Sequence, residues 1–135
     1  MKASTLAFRV AVCLGLTGMA GGIAMAASHN HTLAPAHAHL NLLGWVSLFL
    51  MGLFYRAHPA LDVSRIAKLQ IGVWIVGVLV LISGVTGIYA GYPQLEPAAG
   101  IGSIVVVGAM LLFAYLVFCP ERSAAAPRAG VISAE

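Results

Sequence analysis

Four apolar runs, at about residues 10–27, 36–55, 69–90 and 98–118, fill most of this 135-residue chain, and every Lys, Arg, Asp and Glu lies between them or at the ends. A helix needs about 20 apolar residues to cross the hydrocarbon core of a bilayer. Inside that core each backbone N–H and C=O must be paired within the segment, so runs of this length have to be helices. With 61% hydrophobic and only 8% charged residues, the chain cannot cover a soluble core with a polar surface. The predicted fold class is therefore all-α, an integral membrane four-helix bundle. Residues 1–122 form its single domain, and the Ala-rich stretch 123–135 is predicted to be a disordered tail.

The basic residues orient it. With four spans, Lys2 and Arg9, then Arg56, Arg65 and Lys68, then Arg122 and Arg128 all fall on one side, which is the whole complement of seven Lys and Arg. The positive-inside rule makes that side cytoplasmic, so both termini are expected inside and the turns around 28–35 and 91–97 outside. Because these charges never gather into a patch, nucleic acid is excluded as a partner and membrane lipid is the expected one. Lys2, Arg9 and the Ala24-Met25-Ala26 pattern also describe a cleavable signal peptide. Gly15, Gly18 and Gly22, however, stand at helix-packing spacing, which favours a retained helix able to pack in the bundle or in a homo-oligomer. Gly77, Gly84 and Gly91 likewise recur every seven residues. Cys13 and Cys119 lack any metal-binding spacing; they are expected as small core residues near the inner face, without a structural disulfide.

All five histidines lie between residues 29 and 58. His29 and His31 sit in the first outer turn, and His37 and His39 begin the second helix, just after Pro35. Imidazole binds heme iron, copper and zinc, so this end of the bundle is where chemistry is expected. Residues two apart on a helix point to nearly opposite sides. His37 continues along its face to Asn41, Gly44, Leu48, Met51 or Gly52, and Tyr55. His39 continues to Leu43, Val46 and Leu50, so the pair suits two separate sites, or one ligand and one orienting residue. Gly44 and Gly52 leave room for a flat macrocycle or, equally, for a neighbouring helix.

The stretch HAHLNLLGWVSLFLMGLFYRAHP, residues 37–59, resembles the His-x-His helix of heme-copper oxidase catalytic subunits. It is most similar to the C-type oxidases and the related nitric oxide reductases, in which the pair is followed by Leu-Gly-Trp-Val, a glycine, a tyrosine and a proline. The matching positions are His37, His39, Leu43, Gly44, Trp45, Val46, Gly52, Tyr55 and Pro59, without a gap. It also resembles short four-helix bacterial membrane proteins that carry the same HAHLNLLGW stretch, which implies a bacterial inner membrane location. The resemblance implies heme b as cofactor, with His37 placed as a high-spin and His39 as a low-spin heme ligand, and with Asn41, Gly44, Trp45 and Tyr55 around the site. It also implies respiratory-chain subunits as partners.

The departures from that family bound the function. No histidine occurs in helices one, three or four, so the copper ligands of an oxygen-reducing centre are missing and an enzyme is not expected. A second axial ligand is left to His29, His31, water, or His39 of a second copy. Asn41, Tyr92 and Gln94 stand in for the absent outer-side arginines toward propionates. Two readings remain open. One is a heme-binding membrane protein working in electron transfer, sensing or oxidase assembly. The other is a structural module, or one that holds copper or zinc through His29, His31, His37 and His39, with Glu96 as a further ligand.

Overall fold

The computed structural model describes residues 1–119. Four long helices carry the chain: α1 (Ala3–Ser28), α2 (Ala34–Ala57), α3 (Arg65–Tyr89) and α4 (Glu96–Phe118). Each is long and apolar enough to span a membrane, and no strand occurs among the described residues. Up-and-down order brings the start of α1, the end of α2 and the start of α3 to one end of the bundle. The histidine-bearing turn and the α3–α4 turn, with a short 3-10 segment at Pro93–Leu95, lie at the other.

The bundle is two hairpins. α1 packs along α2 and α3 along α4, with α2 and α3 joining the pairs. Along α1 the buried residues are Ala3, Ser4, Ala7, Ala11, Gly15 and Gly18, one narrow face at helical spacing. A Cβ placed on Gly15 would come within 2.9 Å of the Trp45 ring, and one on Gly18 within 2.5 Å of Asn41 Oδ1. Glycine at these positions is what lets α2 lie so close, as small residues do between membrane helices. In the other hairpin, Gly84 lies against the Ala99 backbone and Gly102 against that of Leu81. Large side chains point outward instead. Leu16, Ile23, Leu50, Val76, Ile104 and Leu111 are all exposed, as a lipid-facing surface requires.

Among the described residues, every buried side-chain nitrogen and oxygen has a hydrogen-bond partner. Near the α1 N-terminus, Asp62 accepts hydrogen bonds from the Ser4 backbone N–H (2.7 Å) and hydroxyl (2.8 Å), capping orphan donors of the first turn. Deeper in, Tyr55 donates to Gln70 Oε1 (2.8 Å), and Gln70 Nε2 donates to the Ala109 carbonyl (3.2 Å), tying α2, α3 and α4 together. Phe113 closes this end against Phe54 and Tyr55, with ring centroids 5.2 and 5.9 Å away.

Several expectations are corrected. α1 starts at Ala3 rather than near residue 10, since a helix continues past the hydrocarbon edge and Asp62 caps it there. Arg9 therefore sits within the helix, exposed. For the same reason Arg65 and Lys68 belong to the first turn of α3, which is capped by the Ser64 hydroxyl. Cys13 is exposed rather than core, because the small face of α1 is the one turned inward. Gly91 does not extend the glycine face of α3; at φ +93° it makes the turn beyond it. The tail 123–135, Arg122 and Arg128 lie outside the described residues.

Candidate functional site

At the histidine-bearing end, α1, α2 and α3 diverge around a cavity of about 480 Å³, open on one side and walled mainly by apolar atoms. Ligand sites typically enclose about 300–1,000 Å³, with a few polar groups converging on an apolar space. α1 supplies Thr17, Gly18, Gly21, Ala24, Met25 and Ser28, all on one helical face. α2 adds Ala36, His37 and Leu40, and α3 adds Ile82 and Thr86, while Asn30, Thr32 and Leu33 form the rim. No residue of α4 lines it.

His37 is the one histidine on this wall. Asn41 Nδ2 donates to the His37 carbonyl (2.9 Å) and stands 3.3 and 3.4 Å from the two ring nitrogens. The amide thus stands within hydrogen-bonding distance of both ring nitrogens. The ring edge meets α1 at bare glycines: a Cβ on Gly22 would lie 3.1 Å from His37 Cε1, and one on Gly21 4.0 Å from Nδ1. The other polar groups here are mostly satisfied locally. Thr17 Oγ1 donates to the Cys13 carbonyl (2.9 Å), and Asn30 Oδ1 accepts from Thr32 N (3.0 Å) and Oγ1 (2.6 Å).

His39 takes a different position. It is half-buried, does not line the cavity, and places Nδ1 2.7 Å from the Pro35 carbonyl. A carbonyl only accepts, so Nδ1 is the donor of this bond. On the face expected to continue from it, Val46 and Leu50 are exposed and Leu43 is half-buried. The two histidines thus address different surroundings.

Between this pair and the buried end of α2 runs a π-helical segment, Leu40–Ser47. Ser47 Oγ reaches back five residues to the Leu42 carbonyl (2.8 Å), and Trp74 Nε1 donates to the Leu43 carbonyl (3.2 Å). Such segments concentrate at functional sites. Ordinary helical counting puts Trp45 at the flank of the His37 face, and the wider turn carries it round over Gly15.

The remaining candidates are spread apart. Gly44 is covered by Leu14 and Leu40, and Gly52 by Phe8 and Ala7, so the room beside them is taken by neighbouring side chains, mostly from α1. Tyr55 is buried at the far end. His29, His31, Tyr92, Gln94 and Glu96 are all exposed in the two turns. Among the described residues no three His, Cys, Asp or Glu side chains gather as a metal site. Sequence reasoning missed Met25, Thr17, Ile82 and Thr86, which resemble ordinary span residues until the helices are assembled.

Comparison of the chain with family models, curated proteins and solved structures returns no match in any of the three. The fit of a heme therefore rests on the cavity itself. It provides one imidazole, His37, which is hydrogen-bonded to Asn41 and packed on Gly22, within walls that are mainly apolar.

Proposed function

We propose that this protein is a heme-binding membrane protein, with His37 as an iron ligand in the cavity between α1, α2 and α3. The supporting observation is an imidazole on the wall of a mainly apolar cavity of about 480 Å³. Heme b supplies one-electron redox chemistry when bound. The chain's own residues would orient it. Asn41 is hydrogen-bonded to His37 and would restrain its rotation, and the Asn30 side-chain amide at the rim has an N–H to offer a carboxylate at the mouth. His39, which does not line the cavity, is assigned to contact with a second copy or a respiratory subunit. In this reading the site lies at the outer face of a bacterial inner membrane, both termini are cytoplasmic, and the role is electron transfer, sensing or oxidase assembly.

Purification in mild detergent from heme-replete cells tests the proposal. A Soret band is expected in the wild type, absent from His37→Gly and restored when free imidazole is added to that variant. A wild-type protein without the band ends the heme reading, and an unchanged band in His37→Gly removes His37 from it.

A further inference from the structure

The open side of the cavity runs along α1. Thr17, Gly21, Ala24 and Ser28 line it from one helical face, and all four are exposed, so the described residues leave that face uncovered. At 1.5 Å per residue, Thr17 to Ser28 rises about 16 Å, close to half of a hydrocarbon core about 30 Å thick. Leu16 and Ile23, beside them on α1, are exposed as lipid-facing residues are. Over the depth of Thr17 to Ala24 the cavity therefore opens to hydrocarbon rather than to water, and it does so within one leaflet.

The lining suits an apolar tail with a polar head. Gly18, Gly21, Ala24, Met25, Leu40 and Ile82 form an apolar wall. Near the ends of the spans two donors are unused. A threonine hydroxyl in a helix commonly bonds to a carbonyl one turn back, as Thr17 does to Cys13 (2.9 Å). The Thr86 hydroxyl, three residues before the end of α3, makes no such bond and has no partner among the described residues. Asn30 uses its Oδ1 for Thr32, and its amide N–H groups donate to none of them. No charged residue lines the cavity. Histidines apart, Glu96 is the charged side chain at this end of the described bundle, while Lys2, Arg9, Arg56, Arg65 and Lys68 lie toward the other. An anionic head would meet Glu96 and no lysine or arginine, whereas a zwitterion brings an ammonium to it.

We infer that in the heme-free protein this cavity holds an acyl chain of a zwitterionic phospholipid from the surrounding leaflet, with Thr86 and Asn30 donating to its ester and phosphate oxygens. His37 takes no part in this contact, since its nitrogen-bearing edge packs on Gly21 and Gly22 with Asn41 beside both nitrogens. Lipid tails are as apolar as the helices, so what retains the chain is van der Waals contact with a preformed wall, together with the hydrogen bonds at the head. The inference does not rest on the heme reading. A heme in the cavity would take the same space, so the two occupants exclude each other.

The test uses the full-length protein purified in mild detergent from heme-depleted cells, mixed with equal amounts of phosphatidylethanolamine and phosphatidylglycerol and weighed as the intact complex by native mass spectrometry. The wild type is expected to retain a single phosphatidylethanolamine per chain and to unfold at a higher temperature when that lipid is added. Gly21→Leu fills the wall from a position where a Cβ meets His37 Nδ1 at 4.0 Å, an ordinary contact, so the helices need not move. This variant and Ala24→Leu should lose both the retained lipid and the thermal shift, while unfolding near the temperature of the lipid-free wild type. Leu111→Phe, on the lipid-facing side of α4, should keep both. A wild type that retains no lipid, or the same retention in Gly21→Leu and Ala24→Leu, would overturn the inference, and equal retention of phosphatidylglycerol would overturn the assignment of the head. The protein tested carries no heme, so failure here is distinct from the missing Soret band that would end the heme reading.

Discussion

At the scale of single residues, close approaches at glycines and paired polar groups hold this bundle together with buried side chains such as Trp74, Tyr55 and Leu48. Gly18 lies against the Asn41 amide, where a Cβ would sit 2.5 Å from Oδ1. Gly18→Leu should cost about 1–3 kcal/mol through overpacking, and should also displace the residue hydrogen-bonded to His37. Thermal unfolding in detergent reads the first effect and heme retention the second. Asp62 is 2% exposed and its carboxylate is used by Ser4. Asp62→Ala should destabilise the fold by about 0.5–2 kcal/mol, the usual loss for a helix cap. Tyr55→Phe leaves Gln70 Oε1 without its donor and should cost about 0.6–1.7 kcal/mol. The loss in the double variant Tyr55→Phe, Gln70→Leu should be smaller than the sum of the two single losses, because the Tyr55–Gln70 bond is counted in both. A double-mutant cycle that shows additivity would contradict the pairing seen here.

At the scale of elements, α2 carries the site because it changes helical type between the histidine pair and the buried Leu48–Tyr55 segment. The widened turns draw two carbonyl contacts, one from Ser47 on the same helix and one from Trp74 on α3. Trp74→Phe keeps the ring and removes the N–H donated to the Leu43 carbonyl. The expected result is a loss of about 0.6–1.7 kcal/mol together with weaker heme retention, as the segment relaxes and His37 turns from the Gly21–Gly22 surface. Unchanged heme retention would mean that the π segment does not position His37. None of this was legible in the sequence. Leu40–Ser47 has the apolar pattern of any membrane helix, and its register depends on a tryptophan 31 residues away from Leu43. The His37 face, by contrast, was legible. Gly44, Leu48, Met51, Gly52 and Tyr55 are all buried, as helical counting requires.

For the whole molecule, the proposed orientation rests on where the cations lie. Lys2, Arg9, Arg56, Arg65 and Lys68 are exposed, and apart from Arg9 they stand at or next to the helix ends opposite the histidine-bearing turn. In a Cys13→Ser, Cys119→Ser background, Asn30→Cys should react with a membrane-impermeant maleimide from the outside of intact cells. Lys68→Cys should react only after the membrane is opened. The reverse pattern would invert the proposed topology, and the heme site with it.

Membrane residence, the all-α class and the number of spans follow from hydrocarbon length and backbone pairing alone, so the sequence by itself determined them. The cluster of histidines at one end was equally plain. Which face of α1 turns inward, and so the exposed place of Cys13, was decided only on assembly, because small and large apolar residues are alike to a hydropathy pattern. The same holds for the cavity. Thr17, Met25, His37, Ile82 and Thr86 come from three helices, and only assembly brings them to the wall of one cavity.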